Sequence, residues 1–373
     1  MWKSEGAVEP PAEFFAVAKR VYAKDPLWPM EDPQAIRWEF SKNNPYAEKI
    51  AIATWGESDA ARMAGFYNPH LTIDGMRIAF FGFFESMNQP KVCQRLFAEF
   101  ERWAKSHGAQ MVYGPVNFTT YGMNRIRIGA ASHLSPFPGE PYNPDYYATL
   151  FESCGYTVCQ EYVSQFGNQY NFPAFGSMYE KVQRKLADAN LRSVPFNSDF
   201  WMTRREQIYP VFQAIWKDNF GYIPIDFATF CAFFGAEATK RIDPHASNAI
   251  LDTSDNVLGY FAMYPDYGPL LSQGSAYRVR ANELSYQEHF PMLSNPRLLL
   301  KTGCVHPDYR QAGLFTAMSI IGHKHAEGFG YSSSVACMIR SDNPSRKMGY
   351  MCKRLHPKVV VTEQVYALYA KHL

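Results

Sequence analysis

The sequence predicts an α/β (α+β) chain of two domains in tandem, each a mixed, mostly antiparallel central sheet flanked by helices. Three observations carry that expectation. The chain has 373 residues, too many for one typical core. Apolar residues make up 47% of it and aromatics 16%, enough to bury two cores. The order of strand-like and helix-like segments in the first half is then replayed in the second.

Pro11 to Asp32 reads as an amphipathic helix, with Phe14, Phe15, Val17, Ala18, Val21 and Tyr22 recurring on one face, ending in the breaker-rich Asp25-Pro26-Leu27-Trp28-Pro29. Strand-like runs follow at Ile50–Trp55, Arg62–Asn68 and Met76–Phe84, with a turn at Gly56-Glu57-Ser58-Asp59, which suggests a β-meander. From Pro90 to Ser106 the apolar residues Val92, Leu96, Phe97, Phe100, Trp103 and Ala104 recur at three and four, and His107-Gly108 stops the helix. Ala109–Tyr113 is a short strand. Residues 114–142 form a loop rich in Gly, Asn, Tyr and Pro, a length that in compact domains usually marks function or disorder. A helix from Pro144 to Ser153 closes with Cys154-Gly155-Tyr156.

The second half offers a helix Tyr209–Asn219 and a hairpin Asn248–Tyr264 turning at Thr253-Ser254-Asp255-Asn256. A strand Leu298–Val305, a helix Ala312–Glu327, a strand Tyr331–Met338, a helix Pro344–Arg354 and final strands Lys358–Thr362 and Gln364–Ala370 complete it. Gly108 and Gly330 hold equivalent places, as do Asn143-Pro144 and Asn343-Pro344. The charged helix Met178–Asn190 reads as the connector, giving domains 1–190 and 191–373.

Thirty-seven Lys and Arg against 35 Asp and Glu leave a formal net charge of +2, too little to steer polyanions, so nucleic acid is not predicted. Arg278, Arg280, Arg297, Lys301 and Arg310 read either as scattered surface cations or as a face for a phosphorylated cofactor. The seven cysteines are an odd number without Cys-x-x-Cys or zinc spacing, as expected of reduced thiols, and no metal is expected. No stretch approaches the roughly 18 apolar residues of a membrane span. A cytoplasmic chain, monomer or homodimer, is the expectation.

The most informative segment lies between residues 297 and 350. Its strand runs into the turn His306-Pro307-Asp308-Tyr309-Arg310-Gln311-Ala312-Gly313 and then into an apolar helix, the geometry in which unpaired backbone N–H groups and a positive helix end converge on a phosphate. Asn343 and Tyr350 follow at a spacing of seven.

This order of elements resembles the GNAT N-acyltransferase superfamily, and across nearly the whole chain a group of double-GNAT bacterial proteins. Arg310-Gln311-Ala312-Gly313-Leu314-Phe315 resembles that superfamily's (Gln/Arg)-x-x-Gly-x-(Gly/Ala) turn, departing from it at Phe315. Asn343 with Tyr350 is similar to its late-helix Asn and Tyr. The double-GNAT likeness rests on the segments Val21–Trp28, Phe80–Glu85, Gly114–Phe118, Pro141–Tyr147 and Trp216–Pro224. The first half lacks the turn, with Glu85 where a phosphate would want a donor, so it reads as a degenerate module that shapes the acceptor pocket.

The resemblance implies transfer of an acyl group from acyl-CoA, acetyl or longer, to the amine of a small molecule, without a metal. It implies that Cys304, Val305, Arg310, Gln311, Ala312, Gly313, Leu314 and Asn343 hold the cofactor, and that Tyr350 protonates the departing thiolate. His306 is the candidate base. Core packing for Tyr350, turn formation for His306 and helix capping for Asn343 stand beside these roles. Cys304 reads as a nucleophile paired with His306 or as an inert buried thiol. Asn117, Tyr121 and Asn124 in the long loop are the candidate substrate contacts. Two alternatives remain: an aminoacyl transferase fed by aminoacyl-tRNA, and a non-catalytic ligand-binding protein that kept the fold.

Overall fold

The computed structural model describes residues 1–6, 8–129, 135–169, 172–217, 219–277, 279–347, 349–350 and 358–373. Internal contacts divide the chain into two compact units. Unit 1 comprises Met1–Tyr162, Leu271–Arg278 and Val365–Leu373; unit 2 comprises Val163–Leu270 and Val279–Gln364. The contacts thus change sides between Tyr162 and Val163, while the expected connector helix belongs wholly to unit 2.

Unit 1 is built on strands β1 (Trp2–Glu5), β2 (Ala51–Glu57), β3 (Ala61–Ile73), β4 (Met76–Ser86), β5 (Met111–Gly114) and β6 (Ile126–Ile128), with helices α1 (Ala12–Val21), α2 (Pro33–Phe40), α3 (Pro90–Ser106) and α4 (Tyr147–Ser153). The sheet order is β1-β2-β3-β4-β5, followed by the last strand of the chain, Val361–His372, on which β6 also pairs. The meander is antiparallel and β4 to β5 is parallel. Alternation along the strands gives each face its own cover. Trp55 and Phe81 face Phe97, Phe100 and Trp103 of α3. Phe66 and Phe83 meet Phe14 of α1, Phe40 of α2 and Phe118 of the long loop. Helix α3 has the bounds that its apolar period predicts, with Pro90 at its first turn and Gly108 beyond its end at φ +89°.

Unit 2 begins within β7 (Thr157–Gly167) and continues through α5 (Phe172–Asp188), β8 (Arg192–Pro195), α6 (Ser198–Thr203), α7 (Arg205–Trp216), α8 (Phe227–Phe233), α9 (Ala236–Thr239), β9 (Asn248–Leu251), β10 (Val257–Pro265), α10 (Gly268–Leu271), α11 (Tyr286–His289), β11 (Arg297–Val305), α12 (Leu314–His325) and β12 (Ser333–Arg340). Its sheet runs β7-β12-β11-β10-β9-β8. Helices α12 and α5 pack together, and Leu314, Met318 and Ile321 of α12 sit against Phe261, Met263 and Leu300 in one buried cluster. On the other face Tyr260 stacks on Phe196 at 5.0 Å and meets Trp201 at 6.0 Å.

The first helix stops at Val21 rather than reaching Asp32, a separate helix α2 follows it, and the connector and Tyr209–Asn219 helices run over Phe172–Asp188 and Arg205–Trp216 instead. Three further differences lie in the carboxyl-terminal segments. Helix α12 starts at Leu314, two places after the expected Ala312, because Gly313 takes a left-handed conformation at φ +75° and the Ala312 amide bonds back to the Tyr309 carbonyl at 3.0 Å. The two closing strands are one, β13 (Val361–His372). Pro344–Arg346 form a single 3-10 turn with Tyr350 helical beyond it, and residues 351–354 of the expected helix lie outside the described residues, as does Arg278.

Candidate functional site

The central strand of unit 2 is held differently on its two sides. Against β10 the β11 ladder is antiparallel from Pro265↔Leu298 to Gly259↔Val305, with a register shift at Ala262/Met263 that makes Lys301 an extra residue on β11. Against β12 the ladder is parallel from Arg297↔Ser333 to Leu300↔Ala336 and stops there, while β11 runs on to Val305 and β12 to Arg340. The strands therefore part, and among the described residues no strand takes up the backbone of Thr302–Val305 on that side.

Beyond the parting, Pro307–Tyr309 make a 3-10 turn closed by Tyr309 N–H to His306 O at 2.9 Å and Arg310 N–H to Pro307 O at 3.2 Å. Arg310, Gln311, Ala312 and Gly313 are exposed. The Ala312 amide is spent on Tyr309, but among the described residues nothing accepts the N–H groups of Gly313, Leu314, Phe315 and Thr316 at the start of α12. A Cβ placed on Gly313 would meet no atom within 4 Å. Phe315 does not cover this mouth: its ring turns into the sheet, stacked on Phe261 at 5.1 Å and abutting Gly303. An open turn with unclaimed amides and the positive end of a helix suits a diphosphate.

The other expected site residues fall around this turn in different roles. Cys304 is buried, burial pushes its thiol up to about 11, and it is a poor nucleophile at neutral pH. Val305 and Leu314 belong to the apolar cluster beneath the turn. His306 is half-buried and its Nδ1 accepts the Asp308 N–H at 3.3 Å, which leaves Nε2 as the nitrogen for other work. Asn343 caps its 3-10 turn, its Oδ1 accepting from Ser345 N at 2.9 Å and Ser345 Oγ at 2.7 Å. Tyr350 is exposed, and its hydroxyl donates to Glu363 Oε1 at 3.3 Å. That carboxylate also takes Arg346 Nη2 at 2.6 Å and Gln165 Nε2 at 2.9 Å, and Arg346 holds it below the usual carboxylate range. Of the basic cluster, Arg297 is nearly buried and committed to Asp266, while Arg280 and Arg310 are exposed.

Unit 1 closes the corresponding opening with its own chain. Its parallel ladder runs from Ile78↔Met111 to Phe80↔Tyr113, after which Val116 N–H bonds to Phe81 O at 2.7 Å and Phe83 N–H to Asn117 Oδ1 at 2.7 Å. Val116 O lies 2.4 Å from where a Gly82 Cβ would be. Asn124 Nδ2 donates to Gly122 O at 2.8 Å and Thr120 O at 3.1 Å, and Tyr121 N–H to Thr119 Oγ1 at 3.2 Å. The side chain of Asn117 thus ties the loop to β4, and that of Asn124 braces the loop itself.

The arrangement in both units can be set against known proteins. No family model matches the chain. Its full length superposes on a tandem GNAT protein from the clavulanic acid biosynthesis pathway, solved without AcCoA, with a TM-score of 0.51 at 10% identity, covering 100% of this chain and 98% of that one. It also superposes on the GCN5-related glucosamine N-acetyltransferase region of a fungal multi-domain GH3 β-N-acetylglucosaminidase, with a TM-score of 0.54 at 11% identity, covering 99% of this chain and 38% of that one. The chain has a tandem GNAT fold.

Two curated proteins are similar to this tandem GNAT chain in sequence. Protein YghO of Escherichia coli (strain K12) is 22% identical over 227 residues, 58% of this chain and 57% of that protein. The bacterial ceramide synthase of Caulobacter vibrioides is 26% identical over 235 residues, 58% of each. The match thus spans less than two thirds of either relative's length. Among the described residues no group of His, Cys, Asp and Glu is placed to hold a metal, and no helix is long and apolar enough to cross a membrane.

Sequence reasoning missed one constellation. Glu85, noted only as an obstacle to phosphate, stands in unit 1 among Tyr22, Glu31, Arg62, Tyr146 and Tyr147. The signal lay in the three tyrosines of segment 141–147, Tyr142, Tyr146 and Tyr147, of which the last two meet the end of strand β4.

Proposed function

We propose that this chain is an N-acyltransferase that moves an acyl group from a CoA thioester to the primary amine of a small molecule. The observation that carries the reading is the open mouth of α12, where the amides of Gly313–Thr316 have no acceptor among the described residues beside the parted strand β11. These amides and the helix end would bind the diphosphate, with Arg310 and Gln311 at its edge, and the backbone of Thr302–Val305 would hold the acyl carbonyl. Acyl-CoA supplies an activated carbonyl. The chain supplies orientation and proton transfer: His306 Nε2 takes a proton from the attacking amine, and the Tyr350 hydroxyl, released from Glu363, gives one to the leaving sulfur. Asn343 belongs to the same unit and would meet the amide arm of the cofactor.

The acceptor we favour is a long-chain amino alcohol. Ceramide is the amide of such a base, and a ceramide synthase is one of the curated relatives. Unit 1, with its opening filled by Val116 and Asn117, would serve acceptor recognition rather than a second donor, and the domains 1–190 and 191–373 would divide those tasks. We place the enzyme in the cytoplasm, where acyl-CoA is made available.

A thermal-unfolding series with acetyl-, octanoyl- and palmitoyl-CoA tests the donor. A ligand at a hundredfold excess over its Kd adds about 2.7 kcal/mol of stability, a clear rise in Tm. No rise with any chain length, together with no amide formed from a long-chain amino alcohol, overturns the reading.

A further inference from the structure

We propose that unit 1 carries a binding site for a primary ammonium group, formed around the Glu85 carboxylate by Tyr22, Glu31, Arg62, Tyr146 and Tyr147. The inference rests on the amine-acylating reading for the chemical class of its ligand, and the site would hold the protonated amine, not the reacting one beside His306.

The site begins with a bulge. In the β3–β4 ladder Gly82 pairs with Ala64 but Glu85 pairs with Arg62, so β4 carries one residue more than β3 across that step, and Phe83 takes φ +48°. The extra residue sets Glu85 opposite Arg62 at the end of the strand, beneath the carboxyl end of α1 and the start of α4.

The charges there do not balance. Arg62 is 1% exposed, and its terminal nitrogens are taken: Nη1 by Phe14 O at 2.9 Å and Glu31 Oε2 at 3.1 Å, Nη2 by Glu31 Oε1. Glu31 thus answers the guanidinium with both its oxygens, and Glu85 is a second carboxylate with no ion-pair partner of its own among the described residues. It accepts the Tyr147 hydroxyl at 2.6 Å, and the Tyr22 hydroxyl also favours its anion. Tyr147 is fixed by accepting the Ser86 N–H at 2.9 Å, and Tyr146 by donating to Ser86 O at 2.8 Å. Burial outweighs these contacts and raises the carboxyl to about 7, with Arg62 lowering it and Glu31 raising it further. Glu85 as a residue is half-buried rather than fully enclosed.

A second polar group of the same constellation is also unanswered. Arg62 Nε, buried to the same degree, has no hydrogen-bond acceptor among the described residues. A buried donor without an acceptor costs free energy that a ligand oxygen recovers. An ammonium beside a hydroxyl oxygen, the head of an amino alcohol, would answer both the surplus carboxylate and the orphaned N–H. The stacked rings of Tyr22 and Trp28, 5.1 Å apart, with Ala18 and Val21, supply an apolar wall for the adjoining carbons.

Titration calorimetry of the full chain with octylamine, and with 1-octanol as the uncharged control, tests the site without any donor present. The expected result is saturable binding of the amine at pH 8 and none of the alcohol. Affinity should fall about tenfold from pH 8 to pH 6 as Glu85 takes up its proton. Glu85→Gln should weaken the amine at least about tenfold while leaving acyl-CoA affinity unchanged. Equal amine affinity in E85Q, or no amine binding by the wild type, overturns the proposal. Should E85Q fail to fold, carbon-13 titration of the wild-type glutamates decides instead: octylamine must lower the apparent pKa of the one that titrates near neutrality, and an unmoved titration sinks the site. Loss of acyl-CoA binding in the wild type would instead sink the donor reading and leave this site standing.

Discussion

The Phe315 ring abuts the backbone of Gly303, so closely that a Cβ built on Gly303 would sit 2.4 Å from Phe315 Cε2. A glycine on the central strand is therefore what lets an aromatic residue occupy the first turn of α12 and still leave the helix end open. With Gly303→Ala the ring must shift or the strand must bend, at a cost of about 1–3 kcal/mol. We expect a lower urea midpoint and weaker acyl-CoA binding together. An unchanged midpoint would show that Phe315 has other room to occupy.

Gly313 is a different kind of glycine. Its φ of +75° is left-handed, yet no atom lies within 4 Å of a Cβ there, so an alanine meets strain and no clash. Gly313→Ala should cost roughly 1 kcal/mol of stability and keep acyl-CoA affinity within about tenfold. Gly313→Trp should keep a similar Tm and lose acyl-CoA, since the larger side chain lies over the free amides. Retained affinity in the Trp variant, read by calorimetry, would remove the turn from the donor site.

Tyr350 is exposed and its hydroxyl is lightly held by Glu363. For Tyr350→Phe the expected outcome is a fall in kcat on the order of a hundredfold with little change in acyl-CoA Kd, the pattern of a lost proton donor. Wild-type turnover would leave Tyr350 without a part in the chemistry.

His323 is buried in α12, its ring stacked on Phe175 at 4.0 Å and its Nδ1 on Ser319 O at 2.7 Å. Burial lowers its pKa from 6.5 to about 4. A depressed folded-state value means that its stability is fully present above about pH 6.5 and lost as pH falls toward 4, up to on the order of 3 kcal/mol. His323→Leu should remove that part of the acid sensitivity in urea titrations at pH 7, 6, 5 and 4. Parallel curves for the two proteins would show that the imidazole contributes nothing to it.

Where a pattern is local, the sequence was legible. The apolar period from Val92 to Ala104 marks α3 to the residue, and the turn Thr253–Asn256 lies between β9 and β10 as expected. Strand β11 and the turn that follows it were readable because strand, turn and helix are contiguous. Short strands with few apolar residues, such as β1 and β8, gave no comparable signal, being held by the strands beside them. The start of α12 was misplaced because Gly313 uses its positive φ to end a turn, which composition alone cannot tell from a position inside a helix. Glu85 was visible as a residue but its partners were not, since Tyr22, Glu31, Arg62 and Tyr147 come from four separate segments.

The loop that fills the parted strands of unit 1 sets a stoichiometry. With Val116 hydrogen-bonded to Phe81 and Asn117 to Phe83, the first copy of the fold has stitched shut a slot that no described residue closes in the second. A donor titration of the whole polypeptide should accordingly reach equivalence at a single molecule. Duplication would then have produced a division of labour between halves rather than a doubled enzyme.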